Sequence, residues 1–286
     1  MMKIVATAAF GLEAVVKREL EALGVQSMET ENGKIRFEGD MRTMIEANLH
    51  LRSADRVYVN IASKEGVDSF DALYDWVRTL PLKDYLDLRG KFLIDAKSVK
   101  SKLYSLRDLQ SITKKALIDT LKETTGAQTF HEDGPRHRLT ISMYDNEASL
   151  LIDTSGAGLH KRGYREGQGR APLKETLAAA LVQLSYYSRD RVLYDPFCGS
   201  GTLAIEAAMI ARNIAPGLSR HFDFEHFHWV DPTLYKKLRK SAYKAIDTEG
   251  EVKIIASDVD FSVIETAKEN AENAGVDGDI HFEVSA

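Results

Sequence analysis

With 286 residues, the chain has room for two domains with separate cores, and its 44% apolar and 28% charged residues are ordinary for a globular protein. A formal net charge of −5 does not advertise nucleic-acid binding, although a local basic surface can bind phosphates on an acidic protein. The single cysteine, Cys198, excludes an internal disulfide framework and a four-cysteine zinc site, and it fits a reducing cytoplasm.

Met1, Met2 and Lys3 before the apolar stretch Ile4 to Leu12 imitate an export signal. The stretch is too short, and Glu13, Lys17, Arg18 and Glu19 continue it on a helical pattern. No apolar run approaches the ~20 residues a membrane span needs. Lys3 to Ala9 reads as a strand and Leu12 to Leu23 as an amphipathic helix stopped by Gly24. Val25 to Phe37 reads as a hairpin turned at Asn32-Gly33. Asp40 caps a helix from Met41 to about Leu51, and Val57 to Ala62 is a strand. Ser69 opens a helix through Val77 that ends near Pro81. Lys91 to Ala96 is a strand, and Ser105 to Leu121 is a helix that Gly126 closes. Arg138 to Tyr144 and Ala148 to Asp153 pair across Asp145-Asn146. The first 155 residues are therefore an α+β assembly, expected as two small lobes.

From Gly156 to Arg170 glycines crowd together with Lys161, Arg162, Arg165 and Arg170, which reads as a connector. Beyond it strands and helices alternate, which predicts a parallel doubly wound sheet. Leu173 to Tyr187 is a helix, Arg191 to Tyr194 a buried strand, and Leu203 to Ala211 a helix. A polar, aromatic-rich insertion spans Asn213 to about Asp231. Pro232 to Ile246 is helical, Lys253 to Ala256 a strand, Phe261 to Ala274 a helix and Ile280 to Val284 a third strand.

Between the first strand and second helix of this last region stands Asp195-Pro-Phe-Cys-Gly-Ser-Gly-Thr202. Strand, acid, glycine loop and helix make the plan of a nucleotide-type cofactor site at the carboxyl edge of a parallel sheet. A nicotinamide reading needs an acid about 20 positions later at the end of the next strand. The next true strand ends instead at Asp258. No Gly-Lys-Ser/Thr follows the loop, which excludes a P-loop. S-adenosylmethionine fits better. Asp195 can hold its ammonium group, the loop and helix N–H groups its carboxylate, and Asp258 both ribose hydroxyls. Gly199 and Gly201 let the backbone approach closely.

These residues, with Leu159-His-Lys-Arg-Gly-Tyr-Arg165 and Ala171-Pro-Leu-Lys-Glu-Thr-Leu-Ala-Ala179, resemble the THUMP-domain RNA guanine-N2 methyltransferases, most closely their bacterial 23S ribosomal RNA branch. Phe92 to Lys100 with the helix from Ser105 resembles the THUMP module, and the first ~60 residues the ferredoxin-like lobe before it. The resemblance implies an α+β half followed by an α/β Rossmann-like methyltransferase domain incomplete at its C-terminus. The implied units are a lobe over 1–60, a THUMP module over 61–155, a basic connector over 156–170 and a partial methyltransferase domain over 171–286. It implies S-adenosylmethionine as cofactor, RNA as partner and a cytoplasmic location. By position, Asp195, Phe197, Gly199, Ser200, Gly201 and Thr202 carry over as the methionine-binding loop. Ser257, Asp258 and Val259 carry over as the ribose and adenine edge, with Leu173 beside the cofactor.

The departure is that no two of the six prolines are adjacent, so the family's catalytic Asn/Asp-Pro-Pro-Tyr is absent. In the family that motif aligns the poorly nucleophilic guanine amine, accepts its hydrogen bond and stacks on the extruded base. No residue here takes that role. The expectation is a fragment that is inactive alone, or else a non-catalytic RNA-binding protein. Lys161, Arg162, Tyr164, Arg165 and Arg170 combine basic and aromatic groups, as RNA or cofactor contacts would, against the alternative of a solvated linker. Lys97, Lys100 and Lys102, with Lys114 and Lys115, are an RNA-facing patch or a solvated face. His221, His226 and His228 with Asp223 and Glu225 fit no closed zinc pattern and read as a packing insertion.

Overall fold

A computed structural model describes residues 1–126, 129, 131–165 and 172–285. The chain opens with β1 (Met2–Ala8), α1 (Glu13–Ala22), β2 (Met28–Glu31), β3 (Lys34–Gly39), α2 (Met41–His50) and β4 (Ala54–Lys64). There follow α3 (Phe70–Arg78), β5 (Lys91–Val99), α4 (Leu106–Thr125), β6 (Arg136–Tyr144) and β7 (Glu147–Asp153). The cap residues act as their chemistry dictates. Asp40 accepts from Thr43 N, and Ser69 from Ala72 N. Gly126 takes the left-handed conformation after α4.

The two expected lobes are one sheet. Its order is β2-β3-β1-β4-β7-β6-β5, and the join is β4 against β7, from Tyr58 opposite Asp153 to Lys64 opposite Ala148. An edge strand in each half would expose a row of unpaired backbone groups, and pairing the two removes both edges. Alternation along the strands gives the sheet two unlike faces. Ile4, Ala6, Val57, Val59, Ile152, Leu150, Leu139 and Ile141 meet the four helices in one core. The opposite face carries Arg36, Arg56, Tyr58, Thr140 and Lys97 and encloses a cavity of about 990 Å³.

The second unit contains α5 (Glu175–Leu184), β8 (Leu193–Asp195), α6 (Thr202–Ala211), α7 (Pro232–Lys244), β9 (Ile254–Asp258), α8 (Phe261–Ala274) and β10 (Ile280–Val284). The three strands are parallel in the order β10-β9-β8. The strand expected to be buried is not. Among the described residues β8 pairs on one side only, so Val192 is 60% and Tyr194 56% exposed. The insertion before α7 does not stay with its own unit. Phe222, Phe224, Phe227 and Val230 enter the core of the N-terminal sheet, joined there by Tyr235 and Leu238 of α7.

Candidate functional site

Asp195 ends β8 and Asp258 ends the neighbouring β9, so both carboxylates reach the same edge of the sheet. The loop between β8 and α6 folds over that edge. Cys198 N donates to Ser257 O at 2.9 Å and Gly199 N to Asp258 Oδ2 at 3.0 Å. Gly199 has φ +50° and Gly201 φ +80°, and a Cβ on Gly201 would stand 3.0 Å from Ala267 Cβ. Glycine at 201 therefore meets both a backbone and a packing requirement. Asn270 of α8 donates to Ser200 O at 3.1 Å and holds the turn from below.

Burial and the nearby Asp258 charge push the Asp195 carboxyl above its ordinary value, against the Phe197 N–H that stabilises its charged form. The same surroundings push the Cys198 thiol up to about 12, first by burial and then by the two carboxylates. It stays protonated near neutrality and is a poor nucleophile. Phe197 is 87% and Val259 72% exposed at the mouth of the loop, and Leu173 is exposed on its other side. The set offers two carboxylates, a turn of backbone donors, a helix N-terminus and apolar side chains, which suits a zwitterionic, cationic nucleoside.

The structure separates the basic residues. Lys97 and Lys100 are exposed and line the large cavity with Lys34, Arg36, Arg56 and Tyr144. Lys102 instead pairs with Asp68 at 2.8 Å. Lys114 pairs with Glu132 at 2.7 Å, and Lys115 stands over the Tyr74 ring. Of the connector's described basic residues only Lys161 is exposed, and Arg170 lies outside the described residues.

Arg162 and Tyr164, expected to face RNA, are each 2% exposed. Arg162 Nε and Nη2 each stand 3.3 Å from a carboxylate oxygen of Glu206, the Tyr164 hydroxyl donates to Glu206 Oε1 at 3.2 Å, and Arg162 also donates to the Leu159 and Arg52 carbonyls. The reason is the carboxylate of Glu206, wholly buried in α6, which requires a cation and donors from somewhere. Arg165 faces the glycine loop, donating to Thr202 Oγ1 at 2.6 Å. Of the insertion, Trp229 Nε1 donates to Tyr85 O, and His228 lies 3.6 Å from Asp87. Among the described residues no cluster of three or more His, Cys, Asp or Glu could hold a metal.

Three family profiles match the chain in succession: the RlmL ferredoxin-like domain over residues 3–58, the THUMP domain over 67–153, and the RMKL-like methyltransferase domain over 162–286. YpsC of Bacillus subtilis, provisionally named an RNA methyltransferase, is 44% identical over 281 residues, 98% of this chain and 72% of that one. The chain belongs to the THUMP-domain, RlmKL-like methyltransferase family. A crystal structure from Listeria monocytogenes, provisionally named an N6-adenine-specific DNA methylase, is 45% identical with a TM-score of 0.94, covering 99% of this chain and 74% of that one. That of SMU.472, provisionally named a methyltransferase and solved with S-adenosylhomocysteine, is 40% identical with a TM-score of 0.92, covering 99% and 74%.

The family is one of S-adenosylmethionine-dependent methyltransferases with an RNA-modifying branch. Its frame brings out residues that sequence reading missed. Glu206 sits inside a helical apolar run and Glu175 opens the first turn of α5, and nothing local marks either as the partner of a connector arginine. Arg220 of the insertion is another. It is 7% exposed and donates to the carbonyls of Ser155, Ala157, Gly158 and Lys161, and burial brings its guanidinium down to about 10. Among the described residues no helix is long and apolar enough to cross a membrane.

Proposed function

We propose that these residues form the cofactor-holding and RNA-holding parts of an RNA guanine-N2 methyltransferase acting on 23S ribosomal RNA. The observation that carries the cofactor assignment is the pair of adjacent strand-end carboxylates under the glycine turn. Asp258 accepts from Gly199 N at 3.0 Å and from Asp260 N at 3.1 Å. A carboxylate has about four lone-pair sites, so two remain for the ribose hydroxyls. Asp195 takes the ammonium group, whose charge would favour the ionised carboxylate that burial disfavours. Ser200, Gly201 and Thr202 receive the carboxylate. Phe197, Ser257, Val259 and Leu173 flank the nucleoside. Bound there, S-adenosylmethionine supplies the methyl group.

Lys97 and Lys100, with Lys161 outside the cavity, hold RNA phosphates, and the sheet face that lines the cavity guides the strand. Within these 286 residues no Pro-Pro-Tyr motif is present to align the guanine amine, so methyl transfer by them alone is not expected. The same observation favours a second reading, RNA binding without catalysis. A transfer RNA substrate uses the same groups. A DNA amine, the activity in the Listeria relative's name, is disfavoured by the THUMP arm.

Calorimetric titration with S-adenosylhomocysteine tests the cofactor assignment. Binding by the chain, weakened at least about tenfold in Asp258→Ala, is expected from loss of a charge-assisted hydrogen-bond acceptor. Equal affinity in both proteins would remove Asp258 from the site.

A further inference from the structure

Arg165 reaches two chain segments at once. Its Nη2 donates to Thr202 Oγ1 at 2.6 Å and to the Leu173 carbonyl at 3.3 Å, and it lies 3.4 Å from Glu175 Oε1. Thr202 is the first residue of α6, directly after the glycine turn, and Leu173 leads into α5. Among the described residues no backbone hydrogen bond joins 172–176 to 195–202. The helices pack side by side, but the segments before them are tied through this guanidinium.

The choice of residue is informative. A cation beside a helix N-terminus is electrostatically unfavourable, so charge alone does not account for Arg165 there. Glu175 compensates it, while burial pushes that carboxyl above its ordinary value. All three contacts are made by one nitrogen, Nη2, whose N–H groups point in fixed directions in the guanidinium plane, while Nε is buried without a hydrogen-bond partner among the described residues. Only 17% of its side chain is exposed, so the geometry is enforced by packing as well.

We infer that Arg165 is a positioning residue for the cofactor loop, fixing the distance between the Leu173 segment and the glycine turn at Thr202. The inference rests on the cofactor reading given above for what the loop binds, but not for the clamp itself.

Two readouts on the full chain separate the two. Amide hydrogen exchange of the ligand-free protein should show residues 199–205 exchanging about tenfold faster in Arg165→Met, with the N-terminal sheet unchanged. Arg165→Lys should restore part of the protection. Thr202→Val should loosen the same residues, and the double variant should be no worse than Arg165→Met, because both remove one interaction. S-adenosylhomocysteine affinity should fall about tenfold in Arg165→Met and partly recover in Arg165→Lys. Unchanged exchange at 199–205, a rise spread equally over the whole chain, or additive effects in the double variant would overturn the inference. Should Arg165→Met fail to fold, the Thr202→Val comparison still decides. If the unaltered chain binds no S-adenosylhomocysteine while the exchange result holds, the cofactor reading fails and the clamp stands.

Discussion

Replacing Arg162 by methionine tests the central correction, that this residue supports the fold and does not face RNA. Arg162 is 2% exposed and Glu206 is fully buried. The guanidinium meets both Glu206 oxygens at 3.3 Å and donates to the Leu159 carbonyl at 2.7 Å and the Arg52 carbonyl. Removing it leaves Glu206 with the Tyr164 hydroxyl as its remaining hydrogen-bond donor among the described residues. Breaking one side of a buried pair costs about 3–5 kcal/mol, because the remaining charge is uncompensated. At ~2–4 °C per kcal/mol for a unit of this size, the unfolding midpoint should fall by roughly 6–20 °C in a calorimetric scan. Arg162→Met with Glu206→Leu should recover most of that loss, since an apolar pair of similar volume is often neutral or better. RNA affinity measured well below the midpoint should keep its salt dependence. A fall of under about 2 °C, or a double variant less stable than the single, would refute the reasoning.

Reversing Lys97 and Lys100 to Glu should weaken binding of a single-stranded RNA and lower the slope against log salt by at least ~0.7 per lysine; an unchanged slope excludes these phosphate contacts. Gly217→Ala should destabilise by ~1–3 kcal/mol in urea titration, because its Cβ would stand 2.8 Å from Leu49 Cα and 2.9 Å from Leu49 O, and an unshifted midpoint would show that the insertion yields there. Burial holds the His137 imidazole below its ordinary pKa, the stronger influence than the Asp87 carboxylate beside it. The unfolded chain therefore binds more protons as pH falls below ~6.5, and stability should be lost from there downward and flat above. His137→Gln should reduce that pH dependence, and an identical profile in the variant would place the titration elsewhere.

Local chemistry made much of the fold readable. Asp40, Ser69 and Asp260 cap helices because a short polar side chain before an apolar periodic run has few other uses. Asn32-Gly33 and Asp145-Asn146 turn hairpins; Gly33, Asp145 and Asn146 adopt positive φ there. The glycine loop was readable as a motif because Asp195 and the glycines are contiguous; Asp258, 59 residues beyond Gly199, was readable only as the end of the next strand. What was hidden depends on distance along the chain. The β4–β7 join pairs Tyr58 with Asp153, and no short-range pattern specifies which edge meets which. Arg162 reads as a surface cation until Glu206, 44 residues on, is placed against it. Lys102 meets Asp68, 34 residues away, in a pairing that no local pattern marks.

The aromatic insertion also sets a timetable. Synthesis delivers the N-terminal sheet first, and domains generally fold as they emerge. Yet Phe222, Phe224, Phe227, Tyr235 and Leu238 belong to that sheet's core. A nascent arm of 155 residues would leave the ribosome with an apolar hollow where those side chains belong. It closes only after α7 has been made, by which time β8 and the glycine loop are already outside.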